Sequence, residues 1–450
     1  MLSIKNSANL DRKVYSMKLV GMVSLGCPKN LVDSENVLGL LASKGYVITS
    51  SLEEAEIIII NTCGFIRPAV QEALDEILQC VELKKNGKCR HLIVMGCLTQ
   101  RYGVAELTEK IPEVDLWLGV NTPQKVLDYL CKAYHQEKIS KAPDDSPRLL
   151  TTPPFTAYLK IAEGCSHSCA YCLIPSLRGR LKSRPLDEIW HEASTLVASG
   201  VKELVLVAQD TGAYGKDLAG NLSLAVVLKE LARIPELQWI RILYLNPSSI
   251  TPELVDTIQH EPKICRYLDI PMQHASSKVL RKMGRKGDAA EYLELIGTLR
   301  SQIPGLVLRT TLMTGFPGED EQAFQELLEF VKKAQFDRLG VFPYYHEEGT
   351  RSYREKETVS FFEKRRRRRE ILKLQRSISR RKNEAAVGIN LRVLTEKKLG
   401  ESVFAGRSYR EAPDIDPKII VKGEDLRPGD FINVIIRQAY TYDLTATIDR

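Results

Sequence analysis

The chain's 450 residues, 44% of them hydrophobic, suffice for about two to four buried cores, and no stretch approaches the roughly 18 consecutive apolar residues of a membrane span. The net charge of +7 has one source: between Ser360 and Lys382 eleven Lys or Arg face two Asp or Glu, a local +9 that leaves −2 for the rest. That distribution excludes a nucleic-acid-binding surface spread over the whole protein.

Met1 to Lys13 mixes Lys, Asn and Asp with few apolar positions and does not read as a signal peptide, so a cytoplasmic location is expected. In that reducing compartment ten cysteines point to metal binding or catalysis before disulfides. From residue 18 to 134 short apolar runs alternate with helical patterns, as in a parallel α/β domain. Leu19 to Leu25, Ile57 to Ile60 and His91 to Met95 read as strands; Leu31 to Lys44 and Pro68 to Leu83 read as helices. Each strand runs into a cysteine beside a glycine: Gly26-Cys27, Cys63-Gly64 and Gly96-Cys97. Carboxyl ends of parallel strands share one edge, where open α/β folds bind ligands. Three thiolates delivered there point to a site with three protein ligands. Cys80, Cys89, Cys131 and Cys265 lack such placement and are expected to be ordinary cysteines.

Residues 135–153 turn polar and Pro-rich (Lys141-Ala142-Pro143-Asp144-Asp145-Ser146-Pro147), a linker by composition. Over 154–382 strand and helix patterns resume. Strands are expected at Ala157 to Ile161, Glu203 to Ala208, Trp239 to Leu243, Tyr267 to Ile270, Val307 to Thr311 and Arg338 to Phe342. Amphipathic stretches such as Leu186 to Ala198 and Asp320 to Ala334 lie between them. Six such repeats suggest a partial barrel of the TIM kind, with its chemistry at the carboxyl ends of the strands.

The loop after the first of these strands is Glu163-Gly164-Cys165-Ser166-His167-Ser168-Cys169-Ala170-Tyr171-Cys172. Its three thiolates are one short of a structural zinc site. They suit an iron–sulfur cluster with one iron left open to another ligand. A zinc knuckle closed by His167, or a redox loop, are the alternatives. Polar residues follow at later strand ends, Gln209-Asp210, Asn246, Gln273-His274 and Thr314, each as well suited to capping as to function. Ser360 to Asn383 reads as a helix with Ile371, Leu374 and Ile378 on one face and arginines elsewhere, either a solvated face or a dock for a phosphate-rich partner. From Val387 short strands separated by turns such as Arg427-Pro428-Gly429-Asp430 suggest a small antiparallel β-barrel, neutral overall with ten basic and ten acidic residues.

From about residue 18 to the end, these modules together resemble the radical S-adenosylmethionine (SAM) methylthiotransferases. The resemblance implies three domains. They are a flavodoxin-like parallel α/β domain at 18–134, a radical SAM partial (β/α)6 TIM-like barrel with the basic helix at 154–382, and a TRAM antiparallel β-barrel at 383–450. Within the family, Leu25-Gly26-Cys27-Pro28-Lys29-Asn30-Leu31-Val32-Asp33-Ser34-Glu35 is similar to the branch acting on an aspartate of the small-subunit ribosomal protein uS12. The transfer-RNA branch typically carries Gln-Met at Pro28-Lys29. Ile174-Pro175-Ser176-Leu177-Arg178-Gly179 and the His274-Ala275 pair point the same way, as does the neutral barrel. Leu181-Lys182 depart from the acidic or small residue common before Ser183-Arg184-Pro185, away from the expected chemistry.

The resemblance implies a 4Fe–4S cluster on Cys165, Cys169 and Cys172 that holds SAM, and a second on Cys27, Cys63 and Cys97 that presents sulfur. One SAM would yield a 5′-deoxyadenosyl radical that takes hydrogen from the aspartate β-carbon; a second would give the methyl group. No side chain is expected as acid or base, since the clusters carry the chemistry. SAM contacts are expected from Tyr171, Gln209, Asp210, Asn246, Arg309 and Phe342. The expected partners are uS12, free or in the small subunit, and an electron donor such as flavodoxin or ferredoxin. The sulfur donor is left open. The enzyme is expected to be a monomer without membrane association. A transfer-RNA adenosine methylthiotransferase and a non-enzymatic metal-binding or assembly factor are the alternatives.

Overall fold

The computed structural model describes residues 18–135 and 148–449; Met1 to Lys13 and most of the expected linker, 136–147, lie outside them. The described chain gathers into two compact units. One holds the chain up to Leu149 apart from 27–32 and 65–69, and the other takes those two segments and everything from Leu150.

The first unit is built on strands β1 (Leu19–Ser24), β2 (Val47–Thr49), β3 (Ile57–Thr62), β4 (His91–Gly96) and β5 (Leu116–Leu118). They form one parallel sheet in the order β2-β1-β3-β4-β5, the flavodoxin order. Its helices, apart from the opening residues of the first two, are α1 (Pro28–Ser43), α2 (Arg67–Asn86), α3 (Cys97–Tyr102), α4 (Val104–Lys110) and α5 (Pro123–Ala133). The isoleucine run explains why both faces are covered. Successive side chains of a strand point to opposite faces, so Ile57 and Ile59 pack with α1 and α5 while Ile58 and Ile60 pack with α2, α3 and α4. Sequence periodicity misses β2 and β5 because three residues are too few to show a period.

Gly64 lies against the start of α3. A Cβ there would stand 2.7 Å from the Cys97 carbonyl oxygen and 2.8 Å from the Leu98 nitrogen, both backbone atoms that cannot swing aside. The chain leaving β3 and the chain leaving β4 therefore meet only where a side chain is missing. Gly64→Ala is expected to cost about 1–3 kcal/mol, seen as a lower urea midpoint at unchanged m.

The second unit carries strand β6 (Thr156–Lys160), the short ribbon β7 (Ala162–Glu163) and β8 (Lys182–Ser183), and then β9 (Glu203–Val207), β10 (Trp239–Ile242), β11 (Ile264–Asp269), β12 (Val307–Thr314) and β13 (Arg338–Pro343). The six long strands form one parallel sheet, β13-β12-β11-β10-β9-β6. Every expected strand is present, with ends displaced by up to three residues. The intervening helices are α6 (Ile174–Arg178), α7 (Leu186–Ala198), α8 (Leu224–Ala232), α9 (Pro252–His260), α10 (Ser277–Lys282), α11 (Ala289–Gln302) and α12 (Glu321–Ala334). The longer ones cover one face of the sheet with a continuous apolar core. The other face carries Tyr158, Val205, Val207, Leu243, Tyr267 and Val307, packed with Leu394, Ala412 and Phe431 from the end of the chain.

That end is a closed barrel of five strands, β14 (Asn390–Gly400), β15 (Val403–Arg407), β16 (Ile419–Lys422), β17 (Phe431–Ala439) and β18 (Leu444–Ile448), in the ring order β14-β15-β16-β18-β17. A ring with an odd number of strands cannot alternate direction at every step. One neighbouring pair must be parallel, and here it is β16–β18. The basic segment forms α13 (Phe361–Glu384), started by Ser360, whose Oγ accepts the Glu363 N–H at 3.2 Å. At its far end the Asn383 amide donates to the Tyr440 and Tyr442 carbonyls of the barrel at 3.2 and 2.8 Å. Among the described residues no helix is long and apolar enough to cross a membrane.

Candidate active site

The Cys165–Cys172 loop leaves the sheet just past β6, at the carboxyl edge, between the paired strands β7 and β8. Gly164 makes the turn at φ +73°, with a missing Cβ that would fall 2.1 Å from the Arg180 carbonyl. The Cys165 N–H donates to the Gly179 carbonyl at 3.0 Å, which closes the loop on itself. Backbone bonds from Ala170 to Met283 (2.8 Å) and from Ser352 to Ala170 (2.8 Å) tie its centre to two later segments.

The three thiols are partly exposed and form no disulfide. Backbone N–H groups of His167 and Ile174 donate to the sulfurs of Cys165 and Cys172, each at 3.4 Å. Arg285, half-buried and donating to the Pro271 carbonyl at 2.8 Å, has its other Nη 4.0 Å from the Cys169 sulfur. Burial pushes the Cys165 thiol up and the Cys172 thiol up to about 12, so thiolates here need a strong positive partner, which a metal supplies. Among the described residues no three His, Cys, Asp or Glu side chains close on a single metal ion. Thiolates on a cluster bind separate irons and stand farther apart. The donor set fits a cluster.

A carboxylate pair flanks the loop. Glu163 accepts from Lys160 at 2.9 Å, from Arg178 at 2.8 Å and from the Gln209 amide at 2.7 Å. Burial alone would raise its pKa, but Lys160 and Arg178 outweigh that and hold it at about 2. Gln209 is thereby oriented with its own buried carbonyl oxygen left without a partner. Asp210 accepts from Ser249 Oγ at 2.7 Å and from the Asn246 N–H at 3.1 Å, and its Oδ2 lies 2.7 Å from His167 Nε2. Burial opposes the charge on Asp210, yet these bonds keep its pKa below the ordinary value. A cavity of about 220 Å³ opens beside the loop, lined by Cys165, His167, Asp210, Lys216 and Asp217 among others.

Asp210 thus fixes the cysteine loop, through His167, to the ends of β9 and β10. Asp210→Ala is expected to lower activity by about 10–100-fold, the range for partners that orient a metal site, with the unfolding midpoint measured in parallel.

The expected SAM contacts fall into two groups. Gln209, Asp210 and Asn246 gather at the carboxyl edge beside the loop, although the Asn246 side chain is engaged in capping Ser248. Tyr171, in the loop, sets its ring edge-on to Phe316 with centroids 6.3 Å apart. Arg309 and Phe342 lie on β12 and β13 beside Gly340, where a Cβ would be 3.5 Å from the Phe342 ring and 3.7 Å from the Arg309 guanidinium. Arg309 is paired with Asp269 at 3.0 Å, and Phe342 is half exposed. Gln273 takes a left-handed turn at φ +68°, and His274 and Thr314 are fully buried. Sequence reasoning gave no role to Glu163, Ser249 or Arg285. Glu163 alone carried a local signal, immediately before the cysteine loop.

In the first unit Cys63 follows β3 directly and Cys97 opens α3 directly after β4; Cys27, which opens the 27–32 segment of the second unit, follows β1 by three residues. The Thr62 hydroxyl donates to the Met95 carbonyl at 2.7 Å and the Arg101 guanidinium to the Gly64 carbonyl at 2.9 Å, which locks these strand ends. Cys80, Cys89, Cys131 and Cys265 are buried in the apolar cores.

Three family models match in succession: the uncharacterized protein family UPF0004 over residues 19–119, the radical SAM superfamily over 159–331, and the TRAM domain over 387–448. The chain is 46% identical to the ribosomal protein uS12 methylthiotransferase RimO of Geotalea uraniireducens, covering 95% of this chain and 98% of that one. It is 47% identical, at the same coverage, to the protein of that name from Syntrophus aciditrophicus. Among solved structures it is similar in fold to the radical SAM methyltransferase TsrM of Kitasatospora setae, at 14% identity and a TM-score of 0.52, covering 73% of this chain and 75% of that one. Likeness at this level over nearly the full length, with the radical SAM module in the middle, means that the chain belongs to the uS12 methylthiotransferase family of the radical SAM superfamily.

Proposed function

We infer that this chain is the enzyme that methylthiolates ribosomal protein uS12, at the β-carbon of an aspartate, with SAM and 4Fe–4S clusters as cofactors. The observation that carries the reading is the three-cysteine loop at the carboxyl edge of a six-stranded parallel half-barrel, in a chain so similar to full-length uS12 methylthiotransferases. Cys165, Cys169 and Cys172 would hold one cluster and Cys27, Cys63 and Cys97 a second. When bound, these groups and SAM supply the one-electron chemistry and the sulfur by which a C–H bond becomes C–S.

The chain's own residues bind and orient. Arg285 offsets negative charge beside Cys169. Glu163 holds Gln209 so that its unpaired carbonyl can accept from the amino group of SAM. Asp210 and His167 keep the loop in register with β9 and β10. Arg309 and Phe342, both near Gly340, would offer a cation and an aromatic ring to the base of SAM. Tyr171, edge-on to Phe316, and Asn246, beside Asp210, would add contacts from the cysteine loop and the end of β10. The domain limits we assign are 18–134, 154–382 and 383–450, joined at 135–153. A cytoplasmic monomer served by a flavodoxin or ferredoxin completes the reading.

Anaerobic incubation with SAM, reductant, sulfide and either uS12 or transfer RNA, followed by mass spectrometry, tests it. A gain equal to CH3S replacing H on uS12 is expected. The same gain on transfer RNA with none on uS12 would overturn it.

A further inference from the structure

The arginine run of α13 divides by face. Lys364, Arg367, Ile371, Gln375, Ile378 and Asn383 are buried. Arg367 reaches Glu319 at 2.7 Å, and Gln375 donates to the Phe336 carbonyl at 2.8 Å. These residues brace the barrel. Outward, Arg365, Arg369, Lys373, Arg376 and Arg380 recur at i, i+4, i+8, i+11 and i+15, a single exposed line about 22 Å long. Arg380 pairs with Glu384 at 2.8 Å, and the nearby acids Glu363 and Glu370 are taken by Arg366. The other four members form no ion pair with any described residue. Like charges at i, i+4 destabilise a helix by about 0.2–0.5 kcal/mol per pair, so this stripe opposes the helix that carries it. Stability does not account for it.

At the start of the stripe Phe361 and Phe362 are 53% and 82% exposed, and the Arg365 guanidinium lies 5.6 Å from the Phe361 ring. A line of four guanidinium forks and one ammonium, ending in two exposed aromatic rings, matches a chain of phosphates with unstacked bases. A helix that lies on a membrane needs its apolar face free, whereas Ile371 and Ile378 are fully buried in the core. The dock is also tied to the barrel's mouth. Glu319, which anchors Arg367, lies 3.5 Å from His274, next to Gln273 beyond β11.

We propose that the outward stripe of α13 binds RNA, namely the RNA on which uS12 sits in the small ribosomal subunit, so that the enzyme takes its substrate in the RNA-bound state. This rests on the uS12 reading above. The test compares the reconstituted full-length protein with the variant Arg365→Gln, Arg369→Gln, Arg376→Gln, and with the corresponding triple Glu variant where that folds. A fluorescent single-stranded RNA 30-mer serves as probe. The Gln variant is expected to bind at least about tenfold more weakly and to lose about 2 from the log–log salt slope, near 0.7 per phosphate contact removed. Its kcat/KM on intact small subunits falls at least about tenfold while that on free uS12 is unchanged. RNA affinity within twofold of the parent, an equal loss on both substrates, or preference for phosphatidylserine vesicles over RNA would overturn the proposal. A parent enzyme that modifies neither form of uS12 sinks the functional reading instead, and the RNA titration still decides the dock.

Discussion

Cys169→Ala is expected to reduce uS12 methylthiolation to background and to lower the iron content after reconstitution from about eight atoms per chain to about four. The loop has no spare thiol to substitute: Cys265, the nearest other cysteine of this unit in sequence, is buried on β11. The loss is local because the loop's shape does not depend on that side chain. It is held by the Cys165-to-Gly179 bond, by Ala170 against Met283 and Ser352, and by His167 against Asp210. Cys80→Ala, which removes a buried thiol from α2, serves as the control and should cost stability while leaving activity and iron intact. Cys97→Ala separates the two sites. It too should halve the iron and stop thiomethyl transfer, yet leave reductive cleavage of SAM running. If Cys169→Ala kept its full iron, or Cys97→Ala kept transfer, the assignment of two three-cysteine sites would be wrong.

Much of this was legible because the relevant signals are local. The four isoleucines before Cys63 could be nothing but a strand buried on both faces, and Cys165, Cys169 and Cys172 lie within eight residues. Pairing is not local. Nothing around Arg285 announces that it will stand beside Cys169, since 116 residues separate them. Ser249 and Asp210 meet because β9 and β10 are neighbours, which spacing suggests but does not orient. The arginines of α13 were the harder case. A helical period showed that some must face inward, but which are spent on bracing depended on Glu319 and the Val341 carbonyl, both outside the segment. The parallel β16–β18 seam follows only once the barrel is known to close with five strands.

Glu203→Leu is expected to destabilise the second unit by about 3–5 kcal/mol, the range for stranding a buried charge. Glu203, Arg241 and Arg407 are all fully buried. Glu203 accepts from Arg241 Nε at 2.9 Å and from Arg407 Nη2 at 2.5 Å, so one carboxylate joins the barrel sheet to the terminal domain. The guanidiniums are further satisfied by the carbonyls of Ser408, Tyr409 and Glu411 and, on Arg407, by Glu396 at 2.5 Å. Removing Glu203 leaves Arg241 with backbone carbonyls alone and Arg407 with Glu396, in a space closed to water. Burial by itself would raise the Glu203 pKa, but Arg407 and Arg241 outweigh it and hold it at about 2. A depressed pKa means that the stabilisation is fully present above the ordinary carboxylate range and is lost as pH falls toward about 2. In urea titrations the parent should therefore lose stability over that acid window while Glu203→Leu, already lacking the group, changes less. Converting Arg241 and Arg407 to Met in the Glu203→Leu background should restore most of the loss, because a matched apolar set carries no desolvated charge. A drop below about 1 kcal/mol for Glu203→Leu alone would mean that water reaches the site and that the carboxylate is not what fastens the terminal barrel to the sheet.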